Sequence, residues 1–164
     1  MARATRPGRR ALLGLALAAG ACGFTPVYAP GGSGARLDRG VEIVAPDTSD
    51  GFTLRQQLQD RLGPATRPEY RLTVTIATRP DRVAVTREQD TNRYNIIGRA
   101  DFVLTRLDGV AVTSGTAERF NSYAATGSTV ATLASERDAY RRLMVILADG
   151  ITDQLLVSLA GAPA

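Results

Sequence analysis

The chain has 164 residues, twenty basic and sixteen acidic side chains and no histidine, enough for one domain with a modest core. The first 21 residues hold four of the basic side chains and none of the acidic ones, so the remainder carries sixteen of each and is neutral overall. Without histidine there is no Ser-His-Asp or Cys-His nucleophile and no imidazole metal ligand, and without excess positive charge nucleic-acid binding loses its electrostatic basis.

In chain order, Arg3, Arg6, Arg9 and Arg10 form a positive stretch, and Ala11–Ala19 is a short apolar run. Gly20 and Ala21 then place small residues before Cys22, the only cysteine. This is the layout of a secretory signal. The apolar run is much shorter than the roughly 20 residues of a bilayer-spanning helix. Arg9-Arg10 also resembles a twin-arginine signal, although arginine-rich starts are common in Sec substrates and Sec export is the expectation. An exported protein with a lone thiol calls for an explanation. Ala19-Gly20-Ala21-Cys22 supplies one by resembling a lipobox, with Ala19 where leucine is usual. Cleavage is expected between Ala21 and Cys22, with acylation (palmitate among the chains) at Cys22. Gly23 follows in place of the aspartate that retains lipoproteins in the inner membrane, so an outer-membrane anchor facing the periplasm is expected.

Residues 22–37 are rich in Gly and Pro and read as the lipidated Cys and a flexible tether; residues 38–161 read as a single domain. Val41–Val44 reads as a short strand, closed by Pro46 and a polar turn over Asp47–Gly51. Phe52, Leu54, Arg55, Leu58 and Leu62 place one stripe on a helix over 52–62, and Gly63-Pro64 stop it. Tyr70, Leu72, Val74 and Ile76 alternate with Arg71, Thr73, Thr75 and Ala77, the period of a half-buried strand. Arg79-Pro80-Asp81 is expected to turn the chain. Val83, Val85 and the polar run 86–92 read as an extended segment or a long hairpin arm. Tyr94, Ile96, Gly98, Ala100, Phe102 and Leu104 share one face of a long strand. Asp108-Gly109 then signals a tight hairpin, and its partner strand runs from Val112 to about Tyr123. Leu133, Tyr140, Leu143, Met144, Leu147, Ile151, Leu155 and Leu159 recur at helical steps over 129–159, with Gly150 weakening that helix by about 1 kcal/mol. The order β-α-β-β-β-α fits an α+β two-layer sandwich, a mostly antiparallel four-stranded sheet with two helices packed on one face.

No motif in this chain carries catalysis. Gly31-Gly-Ser-Gly34 lacks the Lys-Ser/Thr of a phosphate loop, acidic residues are scattered without metal-ligand spacing, and the one thiol is assigned to lipid. The expectation is therefore a binding or scaffolding protein with no enzyme activity, cofactor or metal.

The segment Cys22-Gly-Phe-Thr-Pro-Val-Tyr28 resembles the start of the mature chain in the LptE family of lipopolysaccharide-assembly lipoproteins, alphaproteobacterial type, with Val27 where Leu is usual. The long hairpin, Phe120-Asn-Ser-Tyr-Ala124 and the terminal amphipathic helix agree with it. The resemblance implies a plug and assembly partner of the LptD-like outer-membrane β-barrel that delivers lipopolysaccharide, with contact to lipopolysaccharide itself. It points to no ligand-binding position in this chain. From the residues, the turns near Arg79, Arg82, Arg87 and Arg93 could meet the phosphates of lipid A, though solvated polar loops account for them as well. The alternative reading is an auxiliary lipoprotein of an envelope lipid-trafficking ABC transporter; a peptidoglycan-binding lipoprotein lacks any motif in its favour.

Overall fold

The computed structural model describes residues 32–85, 91–125 and 128–160. The signal segment, Cys22 and Arg87 lie outside them. The elements are α1 (Ser33–Leu37), β1 (Val41–Val44), α2 (Ser49–Leu62), β2 (Tyr70–Val85), β3 (Thr91–Arg106), β4 (Ala111–Ala124) and α3 (Thr129–Ala160). The strands form one sheet in the order β1-β2-β3-β4. β1 runs parallel to β2, with Val41 opposite Tyr70, while β2, β3 and β4 form an antiparallel meander. The chain is thus an α+β protein with one mixed sheet, as the periodicities predicted, and α1 is an addition to the two expected helices.

Parity sorts the sheet residues. Leu72 and Val74 of β2, Ile96, Ala100, Phe102 and Leu104 of β3 and Ala117 of β4 point to one side and are buried. Opposite them, α3 contributes Ala139, Leu143, Met144, Leu147, Ala148, Ile151, Leu155 and Leu159, and α2 contributes Leu54, Leu58 and Leu62. Gly98 sits where α3 crosses β3. A Cβ there would lie 2.9 Å from a Leu143 methyl and 3.0 Å from a Leu147 methyl, so the close approach needs a residue without one. Gly150, within the continuous α3, faces the guanidinium of Arg119 in the same way. A salt bridge of 2.7 Å from Arg61 to Asp149 joins the outer rims of α2 and α3.

Five local expectations change. The Asp47–Gly51 turn is the start of α2, because the Thr48 hydroxyl accepts from the Gly51 amide at 3.1 Å and caps a helix beginning at Ser49. Phe52 leaves the apolar stripe and is 63% exposed; it sits two residues before Leu54, about 200° round the helix from it. Leu133, 45% exposed, precedes the buried run of α3 that begins at Ala139. Arg79-Pro80-Asp81 does not turn. These residues continue β2, paired with Ile97, Ile96 and Asn95. β1 covers β2 only as far as Thr73, and beyond it no described strand pairs with that edge of β2, where proline is tolerated in a strand. The last change lies in the stretch read as tether, whose end folds into α1. Leu37 is fully buried there, and Arg36 donates to the Leu159 carbonyl at the far end of the chain.

Gly51 offers a sharp local test. A Cβ at this position would lie 2.0 Å from the Pro46 carbonyl oxygen. Gly51→Ala must therefore push the β1–α2 connection away from the helix start, an overpacking cost of about 1–3 kcal/mol. The expected result is a Tm lower by several degrees in a thermal melt; an unchanged Tm would refute the close approach.

Candidate interaction face

Both long helices lie on one side of the sheet, and among the described residues no element covers the other side. Its residues are those of opposite parity: Arg71, Thr73, Thr75, Ala77 and Arg79 on β2; Arg93, Asn95, Ile97, Arg99, Asp101 and Val103 on β3; Ser114, Thr116, Glu118 and Phe120 on β4. Register places them in cross-strand rows: Thr75–Asp101–Thr116, then Ala77–Arg99–Glu118, then Arg79–Ile97–Phe120.

The first two rows are tied by charge. The Arg99 guanidinium donates through two nitrogens to the Asp101 carboxylate, at 2.8 and 3.1 Å, and the Thr116 hydroxyl donates to the same carboxylate. Hydrogen bonds from Arg99 and then Thr116 hold the Asp101 carboxyl below the usual carboxylate range. Arg99 is correspondingly raised by its bond to Asp101. Further along, Arg71 pairs with Glu42 at 3.0 Å.

The third row is apolar on β3 and β4. Phe120 is 67% exposed, and Ile97 beside it is half-buried. Two adjoining shallow grooves share Ile97 and Glu118. One, of about 360 Å³, is lined also by Asn95, Arg119 and Phe120; the other, of about 250 Å³, by Ala77, Thr78, Arg79 and Arg99. An exposed aromatic and a branched aliphatic between arginines suit a protein surface or an amphipathic lipid. Nothing in the row suits bond-making chemistry.

Of the four arginines named from the sequence, Arg79 and Arg93 are exposed and share this face; the side chain of Arg82 lies outside the described set, as does Arg87. Arg79 lies on a strand and not in a turn. The sequence reading missed Ile97 and Phe120. Their signal was present: both are large apolar residues out of phase with the buried parity of their strands.

A second polar recess, of about 400 Å³, lies between the start of α2 and α3, lined by Ser49, Asp50, Thr53, Arg137, Tyr140 and Arg141. Burial pushes the Asp50 carboxyl up. Burial also raises the Tyr140 and Tyr123 phenols, with Glu136 adding to it. Tyr123 stacks on Tyr94 at 5.3 Å between centroids and closes the sheet–helix layer at that end. Among the described residues no group of three or more acidic, cysteine or histidine side chains is placed to hold a metal.

Comparison with known proteins agrees with the fold. The family model LptE, Lipopolysaccharide-assembly, matches residues 39–155. Among solved structures, a candidate lipoprotein from Caulobacter crescentus superposes with a TM-score of 0.66 at 24% identity, over 79% of this chain and 97% of that one. A minor lipoprotein from Acinetobacter baumannii gives a TM-score of 0.57 at 18% identity, over 74% and 92%. The rare lipoprotein B from Shewanella oneidensis gives 0.54 at 12% identity, over 73% and 92%. No curated protein matches significantly.

Proposed function

Since the chain belongs to the LptE lipopolysaccharide-assembly family, we propose that it is an outer-membrane lipoprotein, acylated at Cys22, acting as plug and assembly partner of an LptD-like lipopolysaccharide-translocating β-barrel. The observation that supports this reading is the sheet face that no described element covers, where exposed Phe120 and half-buried Ile97 share a row with Arg79 and Arg93 lies further along β3. An exposed aromatic on edge strand β4 next to a half-buried aliphatic on β3 makes an adjoining apolar pair that suits a partner wall. The arginines suit the phosphates of lipopolysaccharide. Arg99 is committed to Asp101, so Arg79 and Arg93 are the side chains this reading assigns to that contact. The role is mechanical and recognitive, with no catalytic step.

The test is recovery of the tagged full-length protein from detergent-solubilised outer membranes. A barrel protein is expected to co-purify in equal amount and to be lost from the double variant Ile97→Asp with Phe120→Asp. That variant changes only exposed or half-exposed positions, so its circular dichroism should match the parent's. Recovery of ABC-transporter subunits in place of a barrel would move the protein to the auxiliary role in lipid traffic. Undiminished barrel recovery by the folded double variant would take the contact away from this face.

A further inference from the structure

The two edges of the sheet are finished differently, and hydrogen bonding fixes which backbone groups face outward at each. The Tyr70 amide donates to the Gly40 carbonyl at 3.0 Å, on the β1 side of β2. Backbone groups alternate in direction along a strand, and β2 pairs with β3 without a shift from Tyr70 to Arg82. The amides and carbonyls of Val74, Ile76 and Thr78 therefore turn outward, and those of Thr75 and Ala77 turn to β3. At the other edge, the Thr116 carbonyl accepts from the Gln154 side chain at 3.0 Å. Thr116 thus turns away from β3, and Glu118 and Ser122 turn the same way by alternation. This β4 edge is closed by the chain itself. Besides the Gln154 bond, the Arg119 guanidinium donates to the Glu118 carbonyl at 2.8 Å, and the Ser122 amide donates to the Asn121 side-chain oxygen at 2.9 Å. Side chains placed in this way keep another strand from adding.

The β2 edge has no such closure. β1 covers it only to Thr73, and among the described residues no strand or side chain takes the outward amides of Ile76 and Thr78. Both residues are half-buried, and Thr75 and Ala77 between and beside them are exposed. Pro80 has no amide to offer, so the open stretch runs from the end of β1 to Pro80. It has room for an added strand of about five residues, continuing the line of β1. The neighbouring face narrows what can fill it. Ala77, Thr78 and Arg79 line one groove with Ile97, Arg99 and Glu118, so this edge is continuous with the face assigned to the barrel partner. A closed barrel wall has every strand paired on both sides, and no wall strand is free to add. We propose that the β2 edge from Val74 to Pro80 is a strand-addition site for an extended segment of the barrel partner that folds into its lumen. Backbone hydrogen bonds at Ile76 and Thr78 fix the register of that segment, and the small side chains of Thr75 and Ala77 leave space for bulky ones opposite. The inference rests on the proposed barrel partner and adds to it the element that the partner contributes.

Hydrogen exchange at single amides tests it. The full-length protein co-purified with the barrel, and the same protein purified in detergent without it, are exchanged in deuterated buffer and read by electron-transfer fragmentation. The Ile76 and Thr78 amides are expected to exchange freely in the isolated protein and to slow by about tenfold or more in the complex. The inward Ala77 amide should be slow in both. Thr78→Pro removes one outward amide and no bond to β3, so the folded variant, checked by circular dichroism, should recover about tenfold less barrel. Equal exchange at Ile76 and Thr78 with and without the barrel overturns the strand addition, as does undiminished recovery by folded Thr78→Pro; the barrel reading survives both. Slow exchange in the isolated protein means that its own chain or a second copy already covers the edge, which also overturns it. Absence of any barrel protein defeats the partner reading and the strand addition together. Should Thr78→Pro fail to fold, the exchange comparison decides alone.

Discussion

Leu147→Asp is expected to abolish the folded domain. Leu147 is fully buried, and one of its methyl carbons would lie 3.0 Å from a Cβ placed on Gly98, so the site has no room into which a new group could swing. Removing the leucine costs about 2–5 kcal/mol. An aspartate in its place must be buried without a partner or protonated, which costs several more, of order 2–7 kcal/mol for a polar group alone. Against a total stability of about 5–15 kcal/mol, the two together empty the native state. The measurement is far-ultraviolet circular dichroism followed by urea titration, in which the variant should show no cooperative transition. Val130→Asp on the same helix, at a position 78% exposed, should stay within about 0.5 kcal/mol of the parent. A normal transition for Leu147→Asp would mean that α3 presents another face to the sheet.

Cys22→Ala is expected to release the protein from the membrane into the osmotic-shock fraction of cells lacking the proposed barrel partner. Each acyl CH₂ buried in a bilayer contributes about 0.8 kcal/mol, so two long chains hold a protein almost irreversibly and their loss is complete. The described fold offers no replacement anchor. α3 is long and apolar enough to cross a bilayer, yet half of its most apolar stretch is buried inside the domain. Its apolar side is taken up by the sheet and by α2. Persistence of the variant in carbonate-washed membranes of such cells would show that something other than Cys22 anchors the protein.

The apolar sheet row and the Arg99–Asp101–Thr116 network differ in how far they were legible. Arg99 and Asp101, two residues apart on a strand, share a face by parity alone. That Thr116 joins them, or that Phe120 lies beside Ile97, follows from the register of β3 against β4. The Asp108-Gly109 turn suggests that register locally, but the extra residue beside Leu104 and Thr105 shifts it. Proline ordinarily ends a strand, which is why the sequence alone places Arg79 in a turn. It sits in a strand because β1 is only four residues long and, among the described residues, leaves that β2 edge unpaired.

By itself the sequence determined what short-range chemistry controls. The two-residue period from Tyr70 and again from Tyr94, the helical stripe from Leu143 to Leu159 and the Asp-Gly turn each follow from side-chain spacing on one segment. The α+β order and the neutral charge after residue 21 follow from the same source. Only the tertiary structure decided which face of the sheet is covered, the parallel pairing of β1 with β2, the exposure of Phe52 and the burial of Leu37 in a five-residue helix. These depend on partners as far as 123 residues away along the chain, as in the Arg36 contact with Leu159. A helix of five residues has too few internal hydrogen bonds to form alone; α1 exists because the end of α3 is there to receive it.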